Sequence, residues 1–134
     1  GMAHALPDQP VVVIDGDGAA LMKMGALATV GHYQPKNLLH IILDNEQHDS
    51  TGGQQTVSGT TQFAKIAAAC NYRRAIATDS ASELPSIIRH LRAQGGPSLL
   101  HFKIRPGSPS ELGRPTVKPH EVKDRFMQFL KENQ

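Results

Sequence analysis

Tryptophan is absent from this chain, and aromatic residues make up only 4% of its 134 positions. The formal net charge is +2, and the seven histidines are scattered. No basic stripe runs beside aromatics, so a nucleic-acid-binding surface has no support. Cysteine occurs once, at Cys70, which excludes an internal disulfide. That residue lies in an Ala-rich helical pattern and reads as a small apolar core residue. No apolar run approaches membrane-spanning length, and no secretion signal opens the chain. These absences point to a soluble, cytoplasmic protein with no membrane partner. Gly1 ahead of Met2 reads as a tag-cleavage scar, leaving residues 3–134 as one domain with a single core.

What the sequence does contain is concentrated between Val11 and Thr56. Val11 to Ile14 is a short β-branched run that suits a strand buried on both faces. Gly16-Asp17-Gly18 interrupts it. Ala19 to Gly31, rich in Ala, Leu and Met, predicts one helix. Leu38 to Leu43 is a second strand, followed by Asp44-Asn45 and a loop of Ser, Thr, Gly and Gln. A right-handed β-α-β crossover sets two such strands parallel and close together. Asp17 and Asn45 then share the carboxyl edge of a sheet, where open α/β folds bind ligands.

Asp17 offers a carboxylate, Asn45 an amide oxygen, and the irregular backbone beyond it a carbonyl. Such hard oxygens suit Mg²⁺, which shares its octahedral shell with water and substrate phosphates. Gly16 and Gly18 allow a ligand close to the backbone, and the N–H groups opening the next helix face an anion. Each motif taken alone also has a plain reading. Gly-Asp-Gly serves as a turn, and Asp44-Asn45 as a strand end or helix cap.

Gly16-Asp17-Gly18, followed some twenty-five residues later by Asp44-Asn45, resembles the signature of thiamine-diphosphate enzymes. The words ALMKMGALATVG, NLLHIILDN and HDSTGGQQT are similar to the decarboxylases of phosphonopyruvate and sulfopyruvate within that family, the latter through its β subunit. The resemblance implies a three-layer αβα thiamine-diphosphate-binding fold with a mostly parallel sheet. It implies that Asp17, the Asn45 side chain and the main-chain carbonyl of Gln47 bind Mg²⁺. Gly16, Gly18, Ala19 and His48 would complete the contacts to thiamine diphosphate. Asp44 stands where the family often has Asn, which implies altered hydrogen bonding around the metal ligands. The family's upstream turn and long helix would be present here only as a tail, before Val11.

The reaction implied is decarboxylation of a small 2-oxo acid with an anionic tail, 3-phosphonopyruvate or sulfopyruvate. The family's activating Glu belongs to a pyrimidine-binding domain, and no acid here takes that role; Glu46 and Glu83 lie in the wrong domain. A pyrimidine-binding domain or subunit in trans is therefore expected, in a homo- or hetero-oligomer, and the chain itself carries no catalytic residue. Ser50, Thr51, Gly52 and Gly53 would hold the substrate's tail; the alternative is a polar loop that caps the next helix. Two other readings stand beside the enzyme subunit: a non-catalytic, truncated cofactor-binding module, and a structural or interaction domain.

The remaining chain predicts an alternating pattern. His32 suits a helix C-terminus and His40 a hydrogen-bonded core position. Thr60 or Thr61 would cap a helix to Asn71 that buries Phe63, Ile66 and Ala67. A strand at 73–78 follows, then a Ser80–Glu83 capping box opening a helix to about Ala93. Pro85 falls in its first turns, and Leu84, Ile87, Ile88 and Leu91 form its stripe. After Gly95-Gly96 comes a strand at 98–104, then a solvated Pro/Gly loop near Lys103, Arg105 and Arg114, which offer charge to an anion. A last helix begins at Pro119, with Val122, Phe126, Phe129 and Leu130 facing the core or a subunit interface. The sum is a sheet of about four mostly parallel strands between helices.

Overall fold

A computed structural model describes residues 1–107, 109, 111–113 and 115–132. Its elements run α1 (Met2–Ala5), β1 (Val11–Gly16), α2 (Asp17–Met22), α3 (Gly25–Tyr33) and β2 (Leu38–Asp44). A hairpin of β3 (Gln47–His48) and β4 (Gln54–Gln55) follows. Then come α4 (Phe63–Ala69), β5 (Arg74–Thr78), α5 (Leu84–Gln94), β6 (Ser98–Lys103) and α6 (Pro119–Glu132). β1, β2, β6 and β5, in that order, form one four-stranded sheet, and every neighbouring pair is parallel. This is the α/β architecture that alternation of apolar runs and helical stripes predicts.

Strand alternation divides the core. Ile42 and Leu99 point to the face covered by Ala20, Leu27, Phe63 and Ala67, from α2, α3 and α4. Leu39, Leu100 and Phe102 point to the other face, under the Leu84, Ile87, Ile88 and Leu91 stripe of α5. Each such fully buried aliphatic side chain contributes about 1.5–3 kcal/mol relative to exposure. His40 is buried and bonded as expected, with Nε2 2.8 Å from Asp15 Oδ2 and Nδ1 3.4 Å from the Tyr72 hydroxyl.

Several local expectations are corrected. β1 is not buried on both faces: Val12 is 51% and Ile14 64% exposed. They register with Leu39 and Ile41 on the α5 side, yet α5 packs on β2, β5 and β6. β1 is the edge strand, so its outer positions lie beyond that helix. The single helix expected over 19–31 is two, broken at Lys23 (φ −130°, ψ 36°). The break lets Ala20 and Leu27 both reach one core. Neither Thr60 nor Thr61 caps α4; both hydroxyls donate back to Val57 O, at 3.2 and 2.9 Å. The Ser80–Glu83 box does not form either, because Glu83 accepts from Thr78 Oγ1 at 3.1 Å and Ser80 Oγ meets Ser82 Oγ. In α6, Val122, Phe126 and Phe129 are exposed, which leaves the interface reading and removes the core one.

Candidate functional site

The carboxyl ends of β1, β2 and β6 meet at one edge, carrying Gly16, Asp44 and Lys103. Asp17 opens α2 directly after β1 and is 2% exposed. Its Oδ2 accepts the Thr56 hydroxyl. Its other oxygen makes no hydrogen bond among the described residues and keeps access to solvent.

Asn45 is held by its own turn. Its Oδ1 accepts Gln47 N at 3.1 Å, and its Nδ2 donates to Asp49 Oδ2 at 2.8 Å. An amide oxygen has two lone pairs, so one remains. Between Asn45 and Gln47, Glu46 adopts φ +60°, and this left-handed residue turns the chain into β3. Glu46 O then accepts Thr56 N at 2.9 Å. Thr56 thus fastens the segment after β2 with its backbone and Asp17 with its side chain. The two loops anticipated at one sheet edge are joined there.

The glycines leave room of two kinds. A Cβ on Gly16 would meet nothing within 4 Å, so the turn above β1 is open. A Cβ on Gly18 would lie 2.5 Å from His48 Cε1 and 2.6 Å from Nδ1, so the His48 ring packs directly on that backbone. Ala19, next along α2, is exposed. A free carboxylate oxygen, a free amide lone pair and open space over a glycine fit an octahedral cation and an anionic ligand. Among the described residues no trio of His, Cys, Asp or Glu is grouped to hold a metal, so an ion at this edge would have to draw on this mixed set.

Ser50, Thr51, Gly52 and Gly53 form the exposed tip of the β3–β4 hairpin. Gly52 and Gly53 have φ +122° and +74°, which the tight reversal requires. None of the four hydrogen-bonds to Asp17, Asn45 or Gly18. Lys103 is not free for an anion: its Nζ lies 2.9 Å from Asp44 Oδ2 and also pairs with Glu46. Arg105 is exposed, and Arg114 lies outside the described residues. The loop after β6 does reach this edge, since Gly107 N donates to Asp49 Oδ2 at 3.1 Å.

Sequence reasoning missed the hub of the edge. Asp44 is fully buried. It accepts from His101 Nε2 at 2.7 Å, Ser58 Oγ at 2.7 Å and Glu46 N at 3.0 Å, besides Lys103. Burial pushes its carboxyl up, but the bonds from Lys103, Ser58, His101 and Glu46 together outweigh this and hold it below the usual range. For Lys103, burial pushes down, and the Glu46 and Asp44 partners raise it overall. The available signal was the register, in which Asp44 lies opposite Lys103.

Residues 1–102 match the family model described as thiamine pyrophosphate enzyme, C-terminal TPP binding domain. A phosphonopyruvate decarboxylase of Streptomyces hygroscopicus is 52% identical over 132 residues, covering 98% of this chain and 33% of that protein. The sulfopyruvate decarboxylase subunit beta of Methanocaldococcus jannaschii is 33% identical over 134 residues, covering 99% of this chain and 70% of that subunit. The chain therefore spans about a third of the length of the phosphonopyruvate decarboxylase it matches. In fold it is similar to a Mycobacterium smegmatis protein described as a thiamin diphosphate-dependent enzyme. There the TM-score is 0.62 at 23% identity, over 75% of this chain and 19% of that one.

Proposed function

Because the chain belongs to the thiamine pyrophosphate enzymes through their C-terminal TPP-binding domain, we propose that it is the diphosphate- and Mg²⁺-binding half of a 2-oxo acid decarboxylase. The substrate is a 2-oxo acid with an anionic tail, of the 3-phosphonopyruvate or sulfopyruvate type. The observation that carries this reading is the Thr56 clasp, which gathers Asp17 and the Asn45 segment at one edge beside an open glycine turn.

In this reading Asp17, the Asn45 Oδ1 and the Gln47 carbonyl hold Mg²⁺. The Gly16, Gly18 and Ala19 backbone meets the diphosphate, and His48 closes over Gly18 beside it. When bound, thiamine diphosphate supplies an electron sink for loss of CO₂. This chain's residues bind and orient; none is assigned a proton-transfer step. The activating carboxylate comes from a pyrimidine-binding domain, in the same protein or in a partner subunit. The name "subunit beta" of several relatives supports a two-part enzyme. The exposed Ser50–Gly53 tip meets the anionic tail of the substrate against that partner.

Titration calorimetry tests the binding half of the proposal. The wild-type protein should take up thiamine diphosphate only with Mg²⁺ present. Asp17→Ala removes a ligand outright, so it should weaken uptake by about a hundredfold or more, at least the loss seen for outer-shell partners. Adding the pyrimidine-binding partner should then give aldehyde and CO₂ from 3-phosphonopyruvate or sulfopyruvate. Uptake without turnover in the complete assembly would favour a non-catalytic binding module. Mg²⁺-independent or absent uptake would sink the proposal.

A further inference from the structure

The same edge carries a polar path that runs on from the Thr56 clasp to Asp44. Asp44 Oδ2 meets His101 Nε2 at 2.7 Å and Lys103 Nζ at 2.9 Å, while its Oδ1 accepts from Ser58 Oγ at 2.7 Å. Ser58 is 1% exposed. Its Oγ lies 2.9 Å from Thr56 Oγ1, which also reaches Asp17 Oδ2. Hydrogen-bond contacts thus run unbroken from β6 to the first residue of α2.

Counting protons gives this path a direction. Each hydroxyl carries one. Thr56 and Ser58 together therefore have two protons for three contacts: Asp17–Thr56, Thr56–Ser58 and Ser58–Asp44. Asp44, flanked by two basic side chains, is a charged acceptor and draws the Ser58 proton. Ser58 then turns a lone pair toward Thr56. The single Thr56 proton is left between Ser58 Oγ and Asp17 Oδ2. Asp17 is steered by a shared hydrogen bond through Oδ2 and keeps its other oxygen for a cation. Asp44 Oδ1 also takes Glu46 N, and Glu46 O takes Thr56 N, so the segment of Asn45 is set by the same carboxylate.

We infer that Asp44 is a positioning residue which, through Ser58 and Thr56, fixes the Asp17 carboxylate in the orientation a divalent cation requires. This inference rests on the Mg²⁺–thiamine diphosphate reading of Asp17. Stability alone is a poor reason for the arrangement, because a buried ion pair is often no more stabilising than apolar residues of the same volume.

The test is Mg²⁺-dependent thiamine diphosphate binding by the full-length protein, with melting temperature followed in parallel. Thr56→Val keeps the shape of the side chain and removes its proton, and should weaken binding by about tenfold, the scale of one hydrogen bond to a charged group. Thr56→Ser returns a hydroxyl and should bind within about twofold of wild type. Adding Asp44→Asn to Thr56→Val should cost less than Asp44→Asn alone, since both cut one path. Should Thr56→Val fail to fold, Ser58→Ala interrupts the same path and takes its place. A merely structural hydroxyl would lower the melting temperature and leave affinity unchanged. Wild-type affinity in Thr56→Val, or fully multiplicative effects in the double variant, overturns the inference. If the wild-type protein does not bind the Mg²⁺ complex, or Asp17→Ala binds it normally, the functional reading fails first, before any Thr56 variant is measured.

Discussion

Ile14 and Asp44 lie toward the carboxyl ends of neighbouring parallel strands, and each sits where its chemistry argues against it. Ile14, an aliphatic residue near the end of β1, is 64% exposed, whereas Asp44, a carboxylate at the end of β2, is at 0%. Burial at this edge follows the strand's place in the sheet and the partners in reach. β2 lies between β1 and β6, and β6 brings His101 and Lys103 to Asp44. Among the described residues β1 pairs with one strand, and Val12 and Ile14 stand outside the cluster under α5. Hydropathy decided neither outcome.

The contrast is most sharply broken at Asp44. Asp44→Ala would strip His101, Ser58, Lys103 and the Glu46 N–H of their common acceptor, and should cost about 3–5 kcal/mol, read from urea denaturation. A loss below about 1 kcal/mol would mean that water repairs the site. A smaller effect is expected in acid. The Asp44 carboxyl is held below its ordinary value of 3.8, so its stabilisation is complete above that value. It is lost as pH falls through the lower folded value. The wild-type melting temperature should therefore sag in acid, and Asp44→Asn should flatten that slope. Lys103 works in the opposite direction: raised above 10.5, it contributes below that value and stops contributing as pH climbs past its folded one. The smallest change should come from Ile14→Ser, within about 0.5 kcal/mol for an exposed position. A cost of several kcal/mol would instead show that another segment or subunit covers β1 in the native protein.

Much of the fold was legible because periodicity carries it. The α5 stripe of Leu84, Ile87, Ile88 and Leu91 lies against the sheet as its spacing requires, and Phe63 and Ala67 are buried in α4. Edge or centre is not written in a run such as Val11 to Ile14, because sheet order depends on which later strand arrives beside it. The helix caps failed for a related reason. Thr60, Thr61 and Ser80 each bond a partner other than the helix N–H groups. At the site, Asp17 and Asn45 were visible because motif spacing marks them. Thr56 and Ser58 were not, since a loop hydroxyl gains its role only when Glu46 turns the chain back over α2. His101 looked like one more residue of an apolar strand until the register set it across from Ile42, beside Asp44.

The imidazole of residue 48 fills the volume that any side chain at residue 18 would claim. Two stretches thirty positions apart are therefore answerable to one another. A methyl group at residue 18 displaces the ring at residue 48. The glycine therefore carries a constraint that its own neighbours in the chain do not explain.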